Sequence, residues 1–208
     1  MSRLENRYQN IFYPSINTIV TNNPNGWYNI GDISKASFCI VYTVAVDNVN
    51  NLVYVGGEFS RAGDVSARNL AVYNASSGSW SEVGGGTDYA VTKLAVDLSQ
   101  NIYLAGDFEK VGPNDTPVNS FAKYYPQTNT WQDMSANGTV TGKPLDIAID
   151  LSNNVYIVGS NLGGGQRMQK FLYATNSYVT PQPFGVFNSQ VQSVDVDLSN
   201  NVYIGGGV

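Results

Sequence analysis

The chain has 208 residues, of which 42% are hydrophobic and 13% charged, and its formal net charge is −5. It contains no histidine, which excludes imidazole bases and nearly all transition-metal sites of biological type, so we expect no metal or other cofactor. The single cysteine, Cys39, excludes an intrachain disulfide, and the lack of a basic stripe argues against nucleic-acid binding.

The first fifteen residues mix charged and aromatic side chains. We interpret residues 1–15 either as an arm that docks on another subunit, in a homo- or hetero-assembly, or as a flap on the chain's own domain. They lack the apolar core of a signal peptide, so the predicted location is the cytoplasm or a virus particle. No apolar run approaches the ~20 residues of a membrane span.

Residues 16–30 have the pattern of a hairpin. Residues 16–20 predict a strand, TNNPNG at residues 21–26 is a strong turn, and WYNI at residues 27–30 predicts a second strand. Residues 38–43 predict a further strand, and we expect Cys39 to be a small buried residue within it.

One short phrase recurs four times along the rest of the chain. It reads AVDNVNNLVYVGG from residue 45, AVDLSQNIYLAGD from 95, AIDLSNNVYIVGS from 148 and DVDLSNNVYIGGG from 195. The aspartates Asp47, Asp97, Asp150 and Asp197 are 50, 53 and 47 residues apart. A fixed period of about this length predicts a repeat architecture.

The second copy predicts the content of each repeat. Residues 91–96 predict a strand, residues 97–101 a turn and residues 102–105 the second strand of a hairpin. Residues 120–125 and the segment that opens at Trp131 predict a second hairpin. Four antiparallel strands per repeat are typical of a β-propeller blade. We expect the turn aspartates to bond their own backbone amides, because they lack the dense carboxylate spacing of a calcium loop.

The repeats resemble kelch repeats. The pair Gly56–Gly57 follows the second strand, and Trp80 follows Tyr73 by seven residues, a spacing that Tyr124 and Trp131 repeat. The DLSNNVY turns are similar to those of NHL-type propellers. The resemblance, over about residues 41–208, implies a β-propeller like the central domain of galactose oxidase. It also implies a protein-binding platform, since most kelch propellers are one. We expect Trp80 and Trp131 to lie between neighbouring blades.

The pattern predicts an N-terminal arm at residues 1–15, followed by one all-β domain at residues 16–208. Its repeats fall at about residues 38–85, 90–135, 144–187 and 191–208. Because residues 16–30 match the second half of a blade and residues 191–208 the first half, we predict a propeller of about four blades with one composite blade from the two termini. The alternative is that the sequence belongs to a longer propeller.

The long loops predict the binding surface. Alternate loops of an antiparallel blade emerge on one face, and those at residues 58–68, 107–119 and 161–169 are the longest. Because loops on a rigid scaffold carry most binding residues, we expect a protein partner there. The predicted partner-binding residues are charged side chains that we assign to this face: Arg61, Asp64, Arg68, Glu109, Lys110, Asp115, Arg167 and Lys170.

Two classes of function fit the sequence. The first is a non-enzymatic interaction or structural module, as a subunit of a larger assembly such as a virus particle. The alternative is a carbohydrate-active enzyme that uses two carboxylates of the long-loop face, with Asp64, Asp88, Glu109 and Asp115 as candidates. We favour the non-enzymatic module, because the chain lacks a side chain of neutral pKa to act as general base.

Overall fold

The computed structural model describes residues 16–23, 26–34, 39–135, 140–163, 165–180 and 189–207, and of residues 16–23, 26–32 and 34 it describes the backbone alone. The predicted arm at residues 1–15 lies outside this part of the chain. The regular structure of the described ranges is entirely β. They contain no helix long and apolar enough to cross a membrane.

The strands in the first half of the chain are β1 (Ile16–Asn23), β2 (Gly26–Ser34), β3 (Ile40–Asp47), β4 (Leu52–Glu58), β5 (Arg61–Ala62), β6 (Val65–Ser66), β7 (Leu70–Asn74), β8 (Ser79–Glu82), β9 (Val91–Val96) and β10 (Ile102–Gly106). Those in the second half are β11 (Lys110–Val111), β12 (Thr116–Pro117), β13 (Phe121–Tyr125), β14 (Thr130–Asp133), β15 (Pro144–Ile149), β16 (Val155–Gly159), β17 (Met168–Leu172), β18 (Ser177–Val179), β19 (Val191–Val196) and β20 (Val202–Gly206).

Three sheets share one antiparallel order. The first blade is β3-β4-β7-β8, the second is β9-β10-β13-β14 and the third is β15-β16-β17-β18. β19 and β20 pair as the first two strands of a further repeat, and we call them the C-terminal half-blade. These sheets confirm the predicted all-β fold of repeated four-stranded units. The bounds predicted for β9 also match those of the structure.

The core consists of apolar clusters between successive blades. Tyr54 and Leu70 of the first blade pack with Leu94 and Leu104 of the second. A second cluster joins Tyr103 and Phe121 of the second blade to the third, and a third cluster joins the third blade to the C-terminal half-blade. Because each blade buries its faces against its neighbours, the stability of the stacked blades resides mainly in these interfaces.

The turn aspartates organise the inner hairpins, as predicted. Oδ1 of Asp97 accepts hydrogen bonds from the backbone N–H groups of Ser99 at 2.9 Å and Asn101 at 2.8 Å. Asp150 and Asp197 bond the same two positions of their own turns. These turns place a residue in the left-handed region of backbone conformation. Asn153 and Asn200 are such residues, each with φ of 62°. Asparagine tolerates this conformation better than most residues, which explains its recurrence.

Among the described strands, the two terminal hairpins lie in separate sheets and do not pair with each other as the composite blade that we predicted. β2 runs on to Ser34, four residues beyond its predicted end, and pairs with β5 through Ile33↔Ala62 and Ser34↔Arg61. The hairpin β1–β2, which we call the N-terminal hairpin, therefore belongs to a sheet of order β1-β2-β5-β6. The side chain of Ile33 is fully buried with Cys39, Phe59 and other residues of the first blade. This apolar contact holds the hairpin beside the first blade, in a different sheet from β19 and β20.

Candidate functional surface

The long loops contain short hairpins that the sequence did not predict. Residues 58–69 form β5 and β6, and residues 107–120 form β11 and β12. Gly63 and Gly112 turn these two hairpins with φ of 55° and 78°. Two-residue strands are too short to give a period in the sequence, so periodicity misses them. The loops, with the linker at residues 84–89, make up the surface that we call the long-loop face.

Arg68 connects the loops of the first and second blades. Its Nη2 lies 2.9 Å from Oδ1 of Asp115, and its Nη1 donates to the carbonyl of Gly112 at 3.4 Å. The backbone carbonyl of Arg68 accepts a hydrogen bond from Thr87 N at 3.0 Å. The hydrogen bond and the charge of Arg68 hold the pKa of Asp115 below its ordinary value. Asp115 is therefore an anion at neutral pH, paired with a cation from the neighbouring blade.

Two polar side chains tie these hairpins to the scaffold. Oδ1 of Asp88 accepts hydrogen bonds from the backbone N–H groups of Glu109 at 3.0 Å and Lys110 at 2.9 Å. Asn69 is buried, and it accepts a bond from Phe59 N and donates one to the carbonyl of Thr87. Sequence reasoning named Asp88 only as a catalytic candidate and missed Asn69. The sequence did offer one signal for Asn69: an asparagine just before a strand is typical of a position with left-handed backbone conformation.

The structure places six of the eight predicted binding residues on the long loops of the first and second blades. Arg61 and Asp64 share the β5–β6 hairpin, where Nη2 of Arg61 donates to the Asp64 carbonyl at 3.0 Å. The other four are exposed on the loops just described: Arg68, Glu109, Lys110 and Asp115. Charges of both signs therefore lie side by side on a surface that backbone hydrogen bonds hold in place.

The remaining two predicted residues belong to the third blade, and only Arg167 lies in its long loop. Nζ of Lys170 lies 2.6 Å from the hydroxyl of Tyr156 and 3.5 Å from Oδ2 of Asp150, in the inner turn of the third blade. Its ammonium group thus points towards the short turns, since Lys170 opposes Tyr156 in the ladder of β16 and β17. Arg167 is half-buried, and its Nε has no hydrogen-bond partner among the described residues.

The opposite face, formed by the short turns, carries a recurring leucine. Leu98, Leu151 and Leu198 each follow the turn aspartate and are exposed. Their backbone amides connect successive repeats, because Leu98 N donates to Oδ1 of Asn153 at 2.8 Å and Leu151 N donates to Oδ1 of Asn200 at 3.0 Å. The repetition of Asp-Leu-Ser was visible in the sequence, but it did not indicate a bond from one turn to the next.

A buried lysine lies beneath this face. Nζ of Lys123 is 3.5 Å from Oδ2 of Asp97 and lies over the rings of Tyr103, Tyr125 and Tyr173 at 4.7, 4.7 and 5.1 Å. Burial lowers the pKa of Lys123, and the charge of Asp97 opposes this effect. Because Tyr173 belongs to the third blade, we assign this pair to the packing between blades and not to a binding surface.

The architecture and the family comparison agree. The family model described as the Rax2 C-terminal β-propeller domain matches residues 31–196, which include all three complete blades. The chain belongs to this family. The match establishes the β-propeller fold for the chain. The resemblance to kelch repeats stays a local feature of the tyrosine and tryptophan spacing. No curated protein matches the sequence.

Two solved structures are similar to this Rax2-family propeller in fold. One is a structural genomics protein of unknown function from Bacteroides thetaiotaomicron, with a TM-score of 0.57, 14% identity and coverage of 90% of this chain and 50% of that chain. The other is the extracellular domain of a putative hybrid two-component system from the same organism, with a TM-score of 0.55, 12% identity and coverage of 93% and 21%. The chain thus spans half or less of each neighbour.

Proposed function

We propose that this propeller is a non-enzymatic module that binds a protein partner through its long-loop face. The observation that carries the proposal is the ion pair between Arg68 and Asp115, which joins the loops of two blades into one charged surface. A surface whose loops are already ordered loses little conformational entropy on binding, and this favours recognition. The resemblance to kelch platforms supports the same proposal.

The mixed charges favour a protein over a polyanion as the partner. Arg61 and Arg68 are close in sequence to Asp64, and Lys110 follows Glu109, so neither sign dominates the face. Charges at the rim of a protein interface act mainly on the association rate and on its salt dependence. We therefore expect association that weakens as the ionic strength rises.

Two of the four candidate carboxylates of this face have structural roles, which disfavours the alternative of a carbohydrate-active enzyme. Asp88 accepts two backbone hydrogen bonds, and the pKa of Asp115 is lowered by Arg68. A glycosidase needs a carboxylic acid whose pKa is raised, to protonate the leaving group. The hypothesis of a virus-particle subunit rests on composition alone and stays a prediction.

The experiment compares two double variants with equal changes in net charge. Arg61→Gln/Arg68→Gln alters the long-loop face, and Ser76→Glu/Ser152→Glu alters exposed positions on the short turns. Immobilised wild-type chain is used to isolate binding proteins, and each variant is then measured against the isolated protein. Loss of binding in the first variant alone is expected. Equal loss in both variants, or substrate turnover that Glu109→Gln or Asp115→Asn abolishes, would overturn the proposal.

A further inference from the structure

The third blade differs from the other two at two positions next to its long loop. In each complete blade, the residue before the third strand accepts a hydrogen bond through its backbone carbonyl from a glycine N–H near the end of the second strand. Asn69, Ser120 and Arg167 hold this position, with N···O distances of 3.0, 3.1 and 3.0 Å. A small polar residue in two blades therefore corresponds to an arginine in the third.

The second position lies two residues further along, on the third strand of each blade. The ladders align Ala71, Ala122 and Gln169, because each opposes the residue that directly follows the repeated tyrosine of the second strand. Both alanines are fully buried, and Gln169 is 5% exposed. The third blade thus buries a long amide side chain at a place where the other two blades bury a methyl group.

Gln169 faces the second blade, across a junction between two complete blades. Side chains two positions apart on a strand lie on the same side of it, and Phe171 packs with Tyr103 and Phe121 of the second blade. Oε1 of Gln169 is buried and has no hydrogen-bond partner among the described residues. A buried polar atom without a partner costs free energy. The amide therefore destabilises the blade unless another group completes its hydrogen bonds.

Arg167 presents a second unsatisfied atom on the same side. Asn69 and Ser120 have left-handed backbone conformations, with φ of 61° and 59°, whereas Arg167 does not, so its side chain continues the alternation of the strand. Three buried side-chain atoms lack a partner in the described part of the chain, and two of them are Nε of Arg167 and Oε1 of Gln169. An unpaired donor and an unpaired acceptor thus lie two residues apart.

Arg167 also lacks an anion. Arg68 pairs with Asp115 between the first and second blades, and Lys143 pairs with Asp107 between the second and third. Arg167 forms no ion pair with any carboxylate that the structure describes. This part of the long-loop face therefore has a half-buried positive charge that no described carboxylate neutralises.

Backbone hydrogen bonds fix the loop that leads into Arg167. Thr141 N donates to the carbonyl of Leu162 at 2.9 Å, which ties the loop to the segment that enters the third blade. Leu162 N donates to the carbonyl of Gln166 at 2.8 Å, one residue before the arginine. Because the loop is already ordered, a ligand that binds beside it loses little conformational entropy.

We propose that Arg167 and Gln169 form a subsite for one carboxylate, supplied by an acidic side chain or the C-terminus of a protein partner. The inference rests on the proposed function of the long-loop face. Nε–H of Arg167 donates to one carboxylate oxygen, and the amide of Gln169 turns about its last torsion so that its NH₂ group donates to the other. Hydrogen bonds between a guanidinium and a carboxylate are stronger than those between neutral groups.

A single carboxylate matches the charge of this subsite. A phosphate carries more than one negative charge at neutral pH, and the other cations of the third blade, Lys143 and Lys170, already pair with Asp107 and Asp150. A peptide group would match the unpaired donor and acceptor, but it is neutral and would leave Arg167 without an anion. The experiments therefore compare these three chemistries.

The first test observes the Nε–H signal of Arg167 by nuclear magnetic resonance of the isotope-labelled chain. Arg167→Lys removes this signal and so assigns it. Sodium acetate, at an ionic strength held constant with sodium chloride, is expected to shift the signal and to saturate. N-Methylacetamide, a neutral peptide group, should leave the signal in place, and inorganic phosphate should bind no more tightly than acetate. A saturating shift with N-methylacetamide, tighter binding of phosphate, or no saturation with acetate would overturn the proposal.

Gln169→Met tests the amide, because methionine keeps the length of the side chain and removes its polar atoms. It should weaken acetate binding about tenfold, through the loss of one hydrogen bond to a charged group. It should also raise the midpoint of urea unfolding, because the unpaired amide is gone. Gln192→Met changes an exposed glutamine and should alter neither quantity.

Gln169→Ala restores the residue of the other two blades and serves as a second variant if Gln169→Met does not fold. Unchanged acetate affinity in the folded variant would contradict the role of the amide. A lower unfolding midpoint in both variants would show that the amide stabilises the free chain, and the subsite would then be wrong.

The isolated protein partner separates this inference from the proposed function. Arg167→Lys and Gln169→Met should each weaken its binding, whereas Gln192→Met should not. If Arg61→Gln/Arg68→Gln loses the partner and Gln169→Met keeps full affinity, the subsite is refuted and the proposed function stands. If acetate saturates the signal of Arg167 but no protein binds the chain, the proposed function fails, and the carboxylate comes from a small molecule.

Discussion

Nε1 of Trp131 donates a hydrogen bond to the carbonyl oxygen of Gly84 at 2.8 Å, which joins the second blade to the linker that leaves the first. Trp131 also packs on Tyr124, with ring centroids 4.8 Å apart. The third blade has no tryptophan at this place, but Tyr178 packs on Phe171 and donates to the carbonyl of Met134 in the second blade. In the third blade, Tyr178 thus makes a hydrogen bond to the preceding blade, as Trp131 does in the second blade.

Tyr178→Phe is expected to lower the free energy of unfolding by about 1 kcal/mol, because it removes the hydroxyl alone and leaves the Met134 carbonyl without this donor. Trp131→Ala should cost about 3 kcal/mol, the low end for a truncated tryptophan, since the indole is half-buried. Urea unfolding measures both. Tyr89→Phe, at an exposed position, is the control and should change nothing. Unchanged stability in both test variants would refute the role of these bonds between blades.

Replacement of the turn aspartates by alanine should destabilise the chain in the order Asp97, Asp150, Asp197. Asp97 and Asp150 each lose two or more bonds to turn N–H groups, worth about 0.5–1.5 kcal/mol apiece. The exposed Asp197 should lose least, because water can replace its bonds. Asp97→Ala should cost most, because it also leaves the buried Lys123 without its anion. Thermal and urea unfolding measure the series. If Asp150→Ala kept full stability but lost partner binding, the structural role of the aspartate would be wrong.

Stability should fall at acid pH partly through Asp150. Burial alone would raise the pKa of Asp150, but hydrogen bonds from Asn154 and Ser152 and the charge of Lys170 outweigh it, so the pKa is lowered. A carboxyl whose pKa is lowered on folding contributes stability above its unfolded pKa of about 3.9 and loses it as the pH falls through the folded value.

The measurement is the free energy of unfolding of the wild type and of Asp150→Asn between acid and neutral pH. We expect a constant difference above about pH 5 and a shrinking one below about pH 4, with a slope of at most about 1.4 kcal/mol per pH unit for one proton. A difference that stays constant down to the most acid sample would contradict the lowered pKa.

Gly84→Ala should destabilise the chain more than Gly165→Ala. Both glycines have positive φ, of 54° and 81°, and an alanine there costs about 1–2 kcal/mol in backbone strain. A Cβ at Gly84 would in addition lie 2.4 Å from Cε2 of Tyr124, whereas one at Gly165 would meet nothing within 4 Å. The difference between the two variants in urea unfolding therefore measures the contact of Gly84 with the second blade. Equal losses would show that the clash is relieved by movement.

The sequence alone determined the repeat, the strands of the inner hairpins and the role of the turn aspartates. These features are local, because a strand alternates over a few residues and Asp97 bonds amides within four positions of itself. The position of Trp131 between blades was an expectation from the resemblance to kelch repeats, which rests on its spacing from Tyr124 within one hairpin.

The tertiary structure alone decided which strands meet across long separations. It directs Lys170 to Asp150 instead of the long loops, and it joins Arg68 to Asp115 over 47 positions. It also pairs β2 with β5, because the burial of Ile33 against the first blade holds the N-terminal hairpin there. These pairings depend on packing between whole sheets. A pattern that recurs about every 50 residues predicts the same local strands whichever strand pairs with each free edge.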